Sequence, residues 1–375
     1  MRTLGAVAGV ALGLFVLLDS FETIVLPRRV TRRLRLTVAF YRLTWKPYRW
    51  LARRVRCPKR REGFIAYYGP CSLLLLFALW AVGLCLAFAL MLFANPAGVG
   101  GPGKTVSFND LLYFSGSTFF TLGLGDLRPT TTLTRFLVVA EAGLGFAFLA
   151  MVMGYLPVLY QAFSARESDI SLLDSRAGSP PVTVYLIIRE AGRGWDHLLA
   201  EYELWCARLL ESHLSYPVLA LFRSQHDNQS WLATITTILD ATAFTIVGLE
   251  RASEQQAELT FAIARHAVID LANTLKTPPR AFPHDRLPAQ DLLKLRQILV
   301  ELGMQVKGDS EMAGELTRLR KMYEPYVHAL STYLLMPVGR WLPDHEKAAN
   351  WLGSRWEHSQ TPFAIHHHRL PDDDT

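Results

Sequence analysis

The chain has 375 residues, half of them hydrophobic, and a formal net charge of +6. That length allows two or three domains, and the charge is too unevenly spread to mark a nucleic-acid binder. Residues 28–62 hold 14 Lys or Arg against one acidic residue, a net +13, whereas residues 164–375 hold 21 basic against 27 acidic residues, a net −6. The basic block lies between two apolar stretches, so it reads as a cytoplasmic membrane-surface segment, and no nucleic-acid partner is expected. The four cysteines (Cys57, Cys71, Cys85, Cys206) have neither metal-type spacing nor a disulfide pattern.

Residues 4–26 form the first apolar span, about twenty residues, enough to cross a bilayer. It lacks a clear small-x-small cleavage site and ends in Asp19, Glu22 and then arginines, which favours a retained anchor over a cleaved signal. Asp19 and Glu22 stand one helical turn apart. They either pair with Arg28, Arg29 or Arg32, or lie as interfacial acids in headgroup water. From 28 to 63 the arginines interleave with Phe40, Tyr41, Trp45, Tyr48 and Trp50, the composition of a segment lying in the membrane interface. Anionic lipid binding and simple topology setting are its two readings. A voltage sensor is disfavoured because the arginines lie outside an apolar span. Residues 64–93 make the second span, and 95–104, rich in Gly and Pro, an extracellular turret.

Ser107-Phe108-Asn109-Asp110 is a capping-box pattern, with Ser107 at N-cap and Asp110 at N3. It predicts a short helix over about 108–120 whose negative C-terminal end faces the segment that follows. That segment is Thr121-Leu122-Gly123-Leu124-Gly125-Asp126. Alternating glycines let an extended strand turn successive carbonyls to one side, and a ring of such strands can replace the hydration shell of a cation.

This run resembles the selectivity filter of the potassium channel superfamily, of the two-transmembrane pore-domain type, whose usual form is Thr-Val-Gly-Tyr-Gly-Asp. The resemblance covers about 108–163, with Pro129 and Arg135 at familiar places and Gly145 where such channels often carry a hinge glycine. It implies a pore helix that includes Ser107, Asp110, Ser117 and Thr118, and K+ as the permeant ion. Thr121, Leu122, Gly123 and Leu124 would supply coordinating carbonyls, Gly125 would give the backbone room to leave the filter, and Asp126 would anchor the outer mouth. One pore loop per chain implies a homotetramer. Leu124 departs from the usual Tyr or Phe and removes an aromatic brace. A Gly-Leu-Gly filter does occur in the second pore loop of some two-pore channels.

The third span is expected at about 133–163. Within it Glu141 stands alone among apolar residues and should hydrogen-bond behind the filter to the pore helix, as a filter-gate element or as structural glue. Gly143, Gly145 and Gly154 permit close packing, and Pro157 should kink the helix. Glu141, Gly143, Gly145 and Pro157 are the gating candidates. Residues 164–191 read as a linker, 192–353 as a helical cytosolic domain, and 354–375 as a flexible tail containing His366, His367 and His368, a possible metal-binding run read here as solvated. Helices are expected at about 195–213, 228–251, 254–275, 288–304 and 310–336, packed as a bundle. Residues 231–249 are long and apolar enough to raise a fourth span, but Asp240 at the centre favours a buried bundle helix. His266 and Asp270 share a helical face without a third ligand.

No Gly-x-Gly-x-x-Gly follows an expected strand, and no nucleophile–base or metal constellation stands out. The chain is therefore expected to be a non-enzyme with no cofactor and no metal beyond K+ at the filter. The fold class is an all-α membrane protein: three transmembrane helices with one re-entrant pore helix and filter, plus an α-helical cytosolic domain. It is expected in the cell membrane (plasma or inner membrane), N-terminus outside and C-terminus cytoplasmic. The expected function is potassium-selective conduction gated by the cytosolic domain. A weakly selective cation channel and a non-conducting membrane sensor or scaffold are the alternatives.

Overall fold

The computed structural model describes residues 2–26, 32, 34–101, 106–190, 194–226, 228–249, 254–307 and 310–343. Arg28, Arg29, the turret tip at 102–105 and the tail with His366, His367 and His368 lie outside the described residues. Two compact units emerge, 1–163 and 164–375. The first holds α1 (Arg2–Ile24), α2 (Leu36–Arg54), α3 (Pro58–Ala66), α4 (Tyr68–Phe93) and α5 (Phe108–Phe119). The boundary falls inside α6 (Thr132–Ala177). Two-residue strands β1 (Val99–Gly100) and β2 (Arg128–Pro129) pair antiparallel and fasten the loop after α4 to the loop after α5.

Helix α1 runs antiparallel to α4, and small residues set how closely the two approach. A Cβ at Gly9 would come within 2.6 Å of the Ala87 carbonyl, and one at Gly83 within 3.0 Å of the Val16 side chain. Deeper along the same contact, Asp19 is fully buried. Its carboxylate accepts from the Thr37 amide at 3.0 Å, the Thr37 hydroxyl at 2.6 Å and the Trp80 indole at 3.1 Å, so it joins α1, α2 and α4. Arg32 lies 3.2 Å from Glu22 and 3.9 Å from Asp19, and Arg35 lies 3.6 Å from Glu22. The ion-pair reading of these acids therefore holds for Arg32. The headgroup-water reading fails for Asp19, because a buried carboxylate needs donors and here has three.

The basic segment is helical, and it docks through aromatic rings. Tyr48 stacks on Phe64 at 4.5 Å, Trp45 lies 4.7 Å from Tyr68, and the Thr44 and Tyr68 hydroxyls meet at 2.8 Å. The long second helix begins at Tyr68 rather than Phe64.

Helix α6 contains Pro157 and corrects the sequence reading once. It runs on to Ala177 where a linker was expected from 164. Ser164, Ser168, Ser171 and Ser175 are exposed there, but Ile170, Leu173 and Ala177 recur at helical spacing and are buried. With α7 (Thr183–Glu190), most of the expected linker is helix.

The second unit adds α8 (Trp195–Ser215), α9 (Trp231–Gly248), α10 (Glu254–Thr274), α11 (Ala289–Glu301), α12 (Ser310–Lys321) and α13 (Glu324–Leu334). The single helix expected over 310–336 is two, because Pro325 has no amide hydrogen to give the Lys321 carbonyl. Helix α9 is one of four helices among the described residues long and apolar enough to cross a membrane. Yet every residue from 231 to 245 is buried, with α7, α8, α10, α12 and α13 around it. The Thr236, Thr242 and Thr245 hydroxyls donate to carbonyls four residues back, which satisfies them inside an apolar surround.

Within this unit Arg166 of α6 is buried. It donates to the Leu219 carbonyl at 2.9 Å, to the Phe222 carbonyl at 3.2 Å, and to His213 Nε2 at 3.2 Å, and it pairs with Glu167 at 2.9 Å. Arginine only donates, so His213 must accept at Nε2 and carry its proton on Nδ1, 2.9 Å from the Leu209 carbonyl. Burial, and then the Arg166 charge, hold the His213 pKa well below its usual value. A histidine depressed in the fold contributes stability that is complete above the unfolded pKa and is lost as pH falls below about 6.5. Acidification from pH 7.5 to 5.5 should cost on the order of 1 kcal/mol through this group alone. Thermal unfolding of the full chain in detergent checks this. His213→Gln should flatten the acid limb, and an unchanged limb would show that other groups set it.

Candidate ion-conduction site

The capping box forms as expected. The Asp110 amide donates to Ser107 Oγ at 3.3 Å, and Asp110 Oδ2 accepts from the Ser107 amide at 2.8 Å and its hydroxyl at 2.7 Å. The start of α5 is thereby satisfied, and its body is held by Leu111 and Phe114 in a cluster with Leu92 and Val99. Phe93 and Phe108 add an edge-to-face contact at 5.7 Å.

At the other end of α5 the chain leaves the helix under tight control. The Thr121 amide donates to the Thr118 carbonyl at 3.0 Å and the Leu122 amide to the Ser117 carbonyl at 2.8 Å. Ser117 and Thr118 thus act through their backbones, pinning the start of the next segment to the negative end of the helix. From there the backbone alternates. Thr121, Gly123 and Gly125 have φ of 57°, 61° and 80°, whereas Leu122 and Leu124 do not turn positive. Alternation between the two hands turns successive carbonyls to the same side. A β-branched residue at positive φ is a strained position, of the kind found where surrounding structure fixes the backbone for a purpose.

Among the described residues, no hydrogen bond is taken by the carbonyls of Thr121, Leu122, Gly123 or Leu124. The next carbonyl, of Gly125, accepts from Arg128 Nε at 3.1 Å. Asp126 lies near Tyr113 of α5. Residues 121–126 are all exposed in the single chain, with Leu122 at 63% and Leu124 at 62%. The segment is thus fastened at both ends, by α5 below and by Arg128 above, and its four middle carbonyls stay available.

Behind it, Glu141 of α6 and Ser115 of α5 are both fully buried and hydrogen-bonded to each other. The Ser115 hydroxyl also lies 2.8 Å from the Cys85 carbonyl of α4, so its one proton is shared between two acceptors. Glu141 therefore meets α5, and through Ser115 it joins α4, α5 and α6. Gly145 is a contact glycine: a Cβ there would collide with the Phe119 carbonyl at the end of α5. Gly143 and Gly154 have no neighbour within 4 Å of such an atom, and Pro157 is exposed. Of the four gating candidates, Glu141 and Gly145 lie against α5, and Gly143 and Pro157 do not.

Sequence reading did not anticipate Arg128, Tyr113, Arg166, the Thr37 and Trp80 partners of Asp19, or the partners of Asp240. His266 and Asp270 sit 3.5 Å apart with the histidine exposed. Among the described residues no group of three or more His, Cys, Asp or Glu is placed to hold a metal.

Residues 74–161 match the model of an ion channel family, a range that takes in most of α4 as well as α5, the exposed loop and the membrane part of α6. An uncharacterized membrane protein, YdjJ of Bacillus subtilis (strain 168), is 24% identical over 199 residues. That similarity covers 52% of this chain and 57% of the relative, so the chain spans little more than half of that protein's length. No solved structure matches.

Proposed function

We propose, from the premise of an ion-channel domain in a multi-pass, all-α membrane protein, that four copies of this chain form a potassium-selective pore. The observation that carries the reading is the row of four carbonyls, Thr121 to Leu124, left without hydrogen bonds on a backbone of alternating φ. Unsatisfied carbonyls are costly unless something polar meets them, and a dehydrated cation on a shared axis is such a partner. Four chains close the ring, because one chain supplies only one strand. Three spans (α1, α4 and the first part of α6) put the basic segment and the second unit on the cytoplasmic side and the filter mouth outside.

Leu124 lacks the ring that usually braces such a filter. The Arg128–Gly125 bond supplies a different hold at the outer end. The exposed Leu124 side chain is the specific reason to keep a weakly selective cation channel as the second reading.

Bilayer recording of the purified protein in a potassium/sodium gradient decides between them. Reversal close to the potassium equilibrium potential is expected. Reversal near zero would replace the selective filter by the weakly selective one. Absence of current under all membrane potentials and pH values tried would favour the sensor or scaffold reading.

A further inference from the structure

Helix α2 shows what the basic segment is built to meet. One side carries Phe40, Trp45 and Ala52, all buried, with Tyr48 stacked on Phe64. The opposite side exposes Arg42, Leu43, Lys46, Trp50 and Arg54. At about 100° per residue these five positions fall within roughly a third of the helix circumference. Arg42 and Lys46 lie along one edge of that face and Leu43 and Trp50 along the other. The Arg54 guanidinium lies over the Trp50 ring at 3.6 Å. Leu43 is 73% and Trp50 55% exposed.

Charge alone would suffice to set topology. It would not require a leucine and a tryptophan on the same exposed face, nor an arginine stacked on that tryptophan. A face that interleaves cations with large apolar groups matches the boundary between lipid phosphates and acyl chains, where the ammonium and guanidinium groups meet phosphate and the indole and leucine enter the apolar layer. The place in the fold agrees. The partners of α2 are Asp19 near the end of α1 and Tyr68 at the start of α4, and these are the adjacent ends of two antiparallel apolar helices, which is one membrane surface.

We propose that the outer face of α2, through Arg42, Lys46, Arg54, Leu43 and Trp50, is a binding surface for anionic phospholipid headgroups of the adjoining leaflet. The inference rests on the reading of α1 and α4 as membrane spans and is independent of ion selectivity. Because Thr37 and Thr44 on the other side of α2 are bonded to Asp19 and Tyr68, lipid bound outside α2 steadies the junction of α1 and α4.

The test follows thermal unfolding of the full chain in mixed micelles containing phosphatidylglycerol or phosphatidylcholine. Phosphatidylglycerol should raise the melting temperature and phosphatidylcholine should not. Each basic side chain near an anionic surface changes binding about fivefold, so Arg42→Gln, Lys46→Gln and Arg54→Gln together should weaken the response on the order of a hundredfold. Arg42→Lys with Arg54→Lys should keep it, which separates lost charge from lost folding. Leu43→Ser with Trp50→Ser should weaken it with all charges present. Equal effects of the two lipids, or a wild-type response from the triple Gln variant, would overturn the proposal. So would polyphosphate reproducing the phosphatidylglycerol effect, since that would mark a soluble-anion site. A chain that stays dispersed in buffer without detergent would instead sink the membrane-span reading itself.

Discussion

Replacing Gly123 by alanine should cut potassium flux by at least a hundredfold while the chain still folds. Gly123 has φ of 61° and nothing within 4 Å of where a Cβ would stand. Space is therefore not the obstacle; the left-handed backbone is. An L-residue there costs about 1–2 kcal/mol, which one chain can carry without unfolding. In the proposed tetramer the cost is incurred four times on one axis, about 4–8 kcal/mol against the conducting arrangement. A 1.4 kcal/mol change is about a tenfold shift, so relaxation of the strand to another backbone should be nearly complete. Carbonyls that no longer face one side cannot replace a hydration shell. Gly63→Ala is the control. It also meets nothing within 4 Å, but it lies in α3 with no positive φ, where alanine suits a helix better than glycine. Potassium flux from reconstituted vesicles, alongside the melting temperature, gives the comparison. Wild-type flux from Gly123→Ala would remove the carbonyl-ring reading.

The capping box and the alternating-φ segment after α5 were legible because their signals are local. A capping box spans four residues and a glycine alternation six, and both recur in the structure where the sequence puts them. Glu141 was legible in part. A lone carboxylate in an apolar helix demands a donor, the pore helix is the nearest polar element, and Ser115 is that donor. What could not be read is long-range pairing. Asp19 finds Trp80 and Arg166 finds His213 across about fifty residues or more, and no spacing rule reaches that far. The end of α6 was misread for another reason: a helix leaving a membrane gains polar residues because it meets water, and composition alone cannot tell that from a linker. Its burial at 170, 173 and 177 was present as a spacing of three and four residues, outweighed by the Gly and Pro residues at 178–181. Gly145 had two readings, a family-based hinge and a close-packing position, and the Phe119 carbonyl against it bears on the second; the partner of such a contact leaves no mark in the sequence beyond the glycine itself.

Asp240→Ala should destabilise the second unit by about 3–5 kcal/mol, the usual range when one partner of a buried ion pair is removed. Asp240 is fully buried in the middle of α9. Arg286 grips it with both terminal nitrogens, at 3.0 Å to Oδ1 and 2.6 Å to Oδ2, and the Tyr323 hydroxyl donates to Oδ1 at 2.6 Å. Arg286 also reaches Glu324 at 3.0 Å and the Gly339 carbonyl at 2.8 Å. Burial by itself would lower the Arg286 pKa, but the Asp240 carboxylate more than offsets it and holds the group above its ordinary value. This pairing is why an aspartate can sit at the centre of an otherwise apolar helix: its charge is met from the loop before α11 and from Tyr323 beside α13, not from water. Truncating Asp240 would leave Arg286 buried with half its partners and the Tyr323 hydroxyl with none of its own. Asp240→Leu combined with Arg286→Met should recover part of the loss, since an apolar pair of similar bulk removes both desolvated charges. The remainder should be about 1–3 kcal/mol, from the orphaned Tyr323 hydroxyl, and adding Tyr323→Phe should reduce it. Thermal unfolding of the full chain in detergent measures all three variants. If Asp240→Ala melts with the wild type, α9 is not packed around this ion pair, and the membrane-span reading of that helix returns.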